Sequence, residues 1–389
     1  MVNNELNGVG TPQVRRVYLE LSVCPLAPLS GNSPMTMRER MLAVIQGEPL
    51  DRVPFVQYCG LAAPDDEIRA LVGRENMGLI RWSSVHRLET PNCVVSTEDY
   101  DCRGRRAQRS HLKTSRGVIT QERVFEPTFG TAATHKHYVC EPADYEILLA
   151  YLRDVIVVED ASPYVRDDGA LGADGLAMVA VLRTPYQQMW VQWVSLENLA
   201  WHLADDLPVL HECLEALADI ERRVFRAVLR AAERNRLPFV NVPDNITAPA
   251  IGDRYFRKYC LPMYNELAGM LEEKGVPVFV HMDGDLKPLW KAISESEVRG
   301  LDSFSSPPDN DTSCREAATL WPQMRLLANF PSSVHLREPE EVYAHTMAML
   351  GEAGHTGRLQ IQISENVPPG VWRSSFPAIT RAISDFGKP

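Results

Sequence analysis

The sequence predicts an α/β protein, a (β/α)8 TIM barrel with an N-terminal arm and an inserted antiparallel β meander. Three observations carry this. From Leu176 onward, short β-branched and aromatic runs alternate with longer amphipathic stretches, the pattern of a parallel sheet with crossover helices. Residues 93–140 instead show short alternating runs of Thr, Val, Arg and His broken by Gly104, Gly117 and Gly130, the pattern of an antiparallel meander. Polar residues gather where the apolar runs stop, as they do at the mouth of a barrel.

Residues 1–34, rich in Asn, Gly, Pro and Ser, read as a flexible or loosely docked arm, and 35–389 as one barrel domain. The barrel begins with a helix: Thr36 is its N-cap, Met41, Leu42 and Ile45 share a face, and Gly47 ends it. A strand follows over 53–58. No strand is assigned between Tyr58 and Cys93, and the meander is placed after the early barrel units. A strand over 176–182 is followed by helices over 196–204 and 208–234. The second is amphipathic through Leu210, Leu214, Leu217, Val224 and Val228. Strands are predicted at 239–242, 278–281, 301–304, 326–329 and 359–363, with a helix over 254–274 and others starting near Lys287, Cys314, Glu338 and Ser375. The glycine-rich stretch Gly169 to Gly175 precedes a strand instead of joining a strand to a helix, so it reads as a flexible loop and not a dinucleotide fingerprint.

Composition narrows the function. Of 389 residues, 45% are hydrophobic and 23% charged, and no apolar run is long enough to cross a membrane, so no membrane partner is expected. A formal charge of −11 opposes nucleic-acid binding, because a polyanion is repelled at range. Eight widely spaced cysteines without a C-x-x-C pair, and no secretory pattern in 1–34, predict a reducing, cytoplasmic setting. There the N-x-T triplets at Asn245 and Asn310 carry no glycan meaning. No G-x-S-x-G elbow, Walker lysine or H-E-x-x-H helix occurs.

The segment P-V-F-V-H-M-D-G, 277–284, is the sharpest signal. It reads as a buried strand ending in His281 and Asp283, two residues apart and therefore on one face. The other strand ends add Gln57, Tyr58, Arg183, Asp244, Asn245, Asp302, Ser303, Asn329, Glu365 and Asn366. Several carboxylates and one imidazole in a single mouth suit a cation or perturbed proton affinities. Tyr186, Trp190 and Trp193 are candidates for a flat aromatic pocket, and 102–116, with five arginines and a lysine, is a basic stretch.

M-T-M-R-E-R-M-L-A-V-I-Q-G-E-P-L-D-R-V-P-F from Met35, the H-M-D-G strand, the strand ending in Asn329 and the late turn before a terminal helix together resemble the uroporphyrinogen decarboxylase superfamily. That resemblance implies the same barrel and one of two activities: decarboxylation of a porphyrinogen, or methyl transfer involving a corrinoid (cobalamin) held by a separate corrinoid-binding protein. The decarboxylases carry R-Q-A-G-R-Y after the first strand; this chain has V-Q-Y-C-G-L-A-A-P, which lacks the arginines for an acidic tetrapyrrole. Thiol-directed methyltransferases hold Zn2+ with H-x-C and a later cysteine, whereas here Asp283 and Glu365 occupy those places.

His281, Asp283 and Glu365 are therefore the expected catalytic residues and the expected ligands of a harder zinc site. Gln57, Tyr58, Arg183, Tyr186, Trp190, Asp244, Asn245 and Asn329 are the expected substrate-binding residues. The implied reaction moves a methyl group from a small-molecule methyl donor, a methoxylated and aromatic compound, to the Co(I) corrinoid of the partner, docked on Arg103 to Arg116. Methyl transfer from methylcobalamin to tetrahydrofolate, a decarboxylase-like activity and a non-catalytic corrinoid- or tetrapyrrole-binding barrel are the alternatives, and a homodimer is a candidate assembly.

Overall fold

The computed structural model describes residues 34–128 and 131–389. The predicted N-terminal arm and the break at Gly130 thus lie outside the described residues, apart from Pro34. Among those described, no helix is long and apolar enough to cross a membrane.

Eight parallel strands close into a barrel: β1 (Phe55–Tyr58), β2 (Gly78–Ser83), β3 (Gly175–Ala180), β4 (Val240–Val242), β5 (Val278–His281), β6 (Gly300–Ser305), β7 (Arg325–Asn329) and β8 (Leu359–Ile363). They pair in chain order, and β8 pairs with β1 to complete the ring. The predicted barrel is present, and β2 is the strand the sequence left unplaced. The meander is also present, with four antiparallel strands in the order Val94–Cys102, Arg105–Thr114, Gly117–Phe125, Ala132–Lys136. Beside it, His86–Glu89 and Ile156–Glu159 form an unforeseen two-stranded ribbon.

Side chains alternate across each strand, so one set faces the helices and the other faces the barrel axis. The inward set is sorted by height. Its lower layer is apolar: Val56, Ile80, Leu176, Met178, Phe239, Phe279 and Leu327 pack together with Met41 and Val44 of α1 (Met37–Gln46), which plugs that end. Gly300 leaves room for the Phe279 ring, since a Cβ there would stand 2.1 Å from Phe279 Cε1. The upper layer, one inward position further along, is polar: Tyr58, Asn241, His281, Asp302, Asn329 and Gln362 are all buried.

Capping forms α1 as predicted. Thr36 Oγ1 accepts from the Glu39 N–H, the Glu39 carboxylate accepts from the Thr36 N–H, and Gly47 ends the helix in the left-handed region at φ 75°. Arg40, 3% exposed, then donates to both oxygens of Asp51 at 2.6 and 2.8 Å, tying α1 to the D-R-V-P turn that starts β1.

Three expectations are corrected. The Gly169 to Gly175 stretch is no flexible loop: Ser162–Leu171 is helical and Gly172–Asp174 a 3-10 turn. Tertiary bonds order it, because Arg38 donates to Asp168 and to the Gly175 carbonyl, and Asp174 binds Arg69 and Arg74. The helix expected over 254–274 begins where predicted, after a kink at Gly252 (φ 62°) that parts it from a short helical turn starting at Ala248, but it is interrupted by a π turn, Phe256–Cys260. Asp283 is not on the strand with His281, since β5 stops at His281 and buried Met282 intervenes.

Candidate active site

The C-terminal ends of β5 and β6, with the segment after β8, build one cluster. His281 is the last residue of β5, and its register partner on β6 is Asp302. That pairing sets His281 Nδ1 3.2 Å from Asp302 Oδ2. Asp302 is fully buried yet well compensated: its carboxylate also accepts from Tyr58 OH at 2.5 Å, Asn241 Nδ2 at 3.0 Å and Gln362 Nε2 at 2.9 Å. A carboxylate removed from water is tolerable only with such donors. Burial pushes its pKa up, but the bonds from His281, Tyr58 and Gln362 prevail and hold it below the usual carboxylate value.

The register of β6 against β7 slips after Asp302, and Ser303 takes φ 56°. This bulge turns Ser303 toward the segment after β8, where its hydroxyl donates to Glu365 Oε1 at 2.7 Å. Glu365 is fixed from behind by Asn329, whose Oδ1 accepts from the N–H groups of Ser364 and Glu365. The Asp283 turn is anchored by Asn310, which donates to the Asp283 carbonyl, and by Gly284, which donates to the Ile246 carbonyl.

The outcome is that His281 Nε2 lies 3.4 Å from Glu365 Oε1 and 3.8 Å from Asp283 Oδ2. All three donor atoms fall within 4.8 Å of one another. Adjacent donors of a tetrahedral ion with bonds of about 2.1 Å stand about 3.4 Å apart, so the His281–Glu365 spacing matches that geometry while the His281–Asp283 spacing is wider. Asp302 on Nδ1 completes a carboxylate–histidine pair that aims Nε2 at the site. Side-chain exposure rises from 10% for His281 to 26% for Asp283 and 35% for Glu365, so the cluster opens toward the mouth. Without an ion, burial disfavours a charged imidazole, but hydrogen bonds to Asp283, Asp302 and Glu365 outweigh it and hold the His281 pKa well above its ordinary value.

The remaining expected residues are placed as follows. Tyr58 reaches the cluster through Asp302. Gln57 is buried and donates to Asp65 at 2.5 Å. Asp244 is buried and accepts from Thr184 N and Oγ1 and from Tyr264 OH. Burial raises its pKa despite those bonds. Tyr186 is 2% exposed and stacks on Tyr259, centroids 5.5 Å apart, so its ring is packed within protein. Trp193 packs on Tyr138 and Tyr151. Arg183, Trp190 and Asn245 are half-buried. In the basic stretch, Arg106 pairs with Asp99, and Arg109 with Glu98 and Glu122, within the meander.

Sequence reading did not single out Asn241 and Gln362. Their signal was the alternation in F-V-N-V and L-Q-I-Q-I, where a polar residue at every second place of a buried strand must face inward. A cavity of about 760 Å³ at the opposite end of the barrel is lined by both signs of charge, Arg299 and Arg325 with Glu272 and Glu297. It lies at the starts of the strands, the end that serves stability in such barrels.

Residues 196–383 match the family model for uroporphyrinogen decarboxylase (URO-D). No curated protein matches the chain. Among solved structures, a methyltransferase from Methanosarcina mazei is similar at 12% identity and TM-score 0.52, covering 90% of this chain and 99% of that one. A B12-independent methionine synthase from Shewanella sp. W3-18-1 is 11% identical at TM-score 0.42, covering 86% of this chain and 97% of the other. The family match thus covers the part of the barrel from the helices after β3 to the terminal helix.

Proposed function

We propose that the protein is a methyltransferase that takes a methyl group from a methoxylated aromatic compound and passes it to the Co(I) corrinoid of a partner protein. The convergence of His281, Asp283 and Glu365 at the barrel mouth, with no cysteine among them, is the observation that carries this reading. The match of residues 196–383 to the uroporphyrinogen decarboxylase model and the fold shared with a methyltransferase from Methanosarcina mazei support it.

The chemistry has a specific demand. When the methyl carbon leaves an ether oxygen for cobalt, the C–O bond breaks, a C–Co bond forms and the oxygen keeps the bonding pair. That oxygen then needs a proton or a cation. His281 meets it in the ion-free site: Nδ1–H is held by Asp302, and the proton on Nε2, between Asp283 and Glu365, faces the open side. Donated to the leaving oxygen, it releases a phenol. Zinc held by the same three side chains would supply Lewis acidity at that oxygen. Oxygen donors suit an oxygen leaving group, where thiolates favour softer coordination.

The test is to incubate the protein with cob(I)alamin and a panel of methoxybenzenes, measure its zinc content, and follow methylcobalamin and phenol. Formation of both, lost in His281→Ala, is the expected result. Methyl transfer from methylcobalamin to tetrahydrofolate, or binding without turnover, would replace this reading.

A further inference from the structure

We propose that the substrate carries a carboxylate and that Arg183 binds it, an inference that names the substrate class of the site and rests for its methyl ether on the reading above. Arg183 follows β3, Asp244 follows β4 and His281 ends β5, so three neighbouring strand ends line up on one rim. Asp244 is already committed to Thr184 and Tyr264, and Asp283 and Glu365 turn to His281. Arg183 is left over. It is half-buried, its Nε is buried without a hydrogen-bond partner, and among the described residues no carboxylate lies within ion-pair distance of it.

The Arg183 Nε has lost water without gaining an acceptor; the Nε of Arg69 and Arg325 share that state, but those two residues do not follow a strand end at the mouth. Burial indeed lowers the proton affinity of Arg183, and Asp244 and Asp283 only partly restore it, acting at range. The missing partner is an acceptor that arrives with the ligand, and a carboxylate matches the planar fork in two parallel hydrogen bonds.

A second observation points the same way. In the helical segment that begins at Pro185, just after Arg183, Gln187 and Trp190 also hold buried polar atoms without partners among the described residues: both amide atoms of Gln187 and Trp190 Nε1. The Tyr259 hydroxyl, on the turn packed against this segment, is a fourth such group. Both π turns among the described residues, Met189–Trp193 and Phe256–Cys260, belong to these two segments. Isolated π turns concentrate where proteins bind ligands. Donors outnumber acceptors here, as an anion requires.

The experiment is calorimetric binding of 2-, 3- and 4-methoxybenzoate and of the matching neutral methoxybenzamides to the full chain, to Arg183→Gln and to His281→Ala. At least one acid is expected to bind the wild-type chain about 10-fold or more tightly than its amide, the worth of a charge-assisted hydrogen bond. Arg183→Gln should bring that ratio close to one with amide binding and melting temperature unchanged, while His281→Ala keeps it. Equal affinities in wild type, no binding of any acid, or a ratio that survives Arg183→Gln would overturn the assignment. A preserved preference for the acid without methyl transfer to cob(I)alamin would leave Arg183 as the carboxylate site and remove the demethylation reading instead.

Discussion

His281 Nδ1 and Asp302 Oδ2 stand 3.2 Å apart as register partners on adjacent barrel strands, so the backbone pairing itself orients the imidazole. Every donor to the buried Asp302 carboxylate comes from a different strand: Tyr58 from β1, Asn241 from β4, His281 from β5 and Gln362 from β8. The site is a consequence of barrel closure, and its stiffness follows from that hub.

Asp302→Asn keeps the shape and removes the charge behind His281. If His281, Asp283 and Glu365 hold zinc, its affinity should fall about 10- to 100-fold, as for other outer carboxylates behind histidine ligands. Equilibrium dialysis against zinc measures this. Unchanged affinity would mean that Asp302 is only packing.

Asn329 acts through backbone, holding Ser364 and Glu365 by their N–H groups. Asn329→Ala should release Glu365 and weaken zinc binding, while Asn329→Asp, which keeps the acceptor, should recover part of it. Loss of substrate affinity with zinc binding intact would instead identify Asn329 as a substrate contact.

Gly284 approaches the neighbouring turn so closely that a Cβ would stand 2.2 Å from Thr247 Cβ and 2.8 Å from the Ile246 carbonyl. Gly284→Ala must therefore push the Asp283 turn away. A loss of about 1–3 kcal/mol in stability is expected, with weaker zinc binding alongside. Urea unfolding and dialysis read the two effects separately.

Glu221 is fully buried on the helix Pro208–Ala232, and neither carboxylate oxygen has a hydrogen-bond partner among the described residues. Burial, then the nearby Asp244, push its pKa well above 4.5. The folded chain keeps this proton at pH values where the unfolded chain has lost it, so the stabilising contribution is full below pH 4.5 and is lost as pH rises toward the folded value. Glu221→Gln should flatten the fall in stability from acidic to neutral pH. Thermal melts from pH 4 to 8 test it, and an unchanged slope would show that Glu221 is ionised in the folded state.

Arg105 and Arg106 lie on the meander at the turn that follows Cys102. If the corrinoid partner docks there, replacing both with glutamate should slow methyl transfer to the holo partner at least several-fold and leave transfer to free cob(I)alamin unchanged. Equal slowing with both acceptors removes this surface from the proposal.

The chain's own pattern determined the barrel, because alternation at period 2 and helical faces at period 3.6 are local properties written into each segment. It also determined which polar residues end the strands, and so brought His281, Asp283 and Glu365 into view, with Asp302 on the same rim. β2 stayed hidden, since G-L-I-R-W-S carries an arginine and an exposed tryptophan, and only its pairing with β1 and β3 makes it a strand. Glycines at 169 to 175 read as a loop until Arg38, distant in sequence, ordered them. Tertiary structure alone decided the roles within the rim. Register placed Asp302 behind His281, a bulge turned Ser303 to Glu365, and the bonds of Asp244 left Arg183 without a partner. The physical reason is that a hydrogen bond between residues tens or hundreds of positions apart depends on strand register and closure of the ring, which no local stretch of sequence contains.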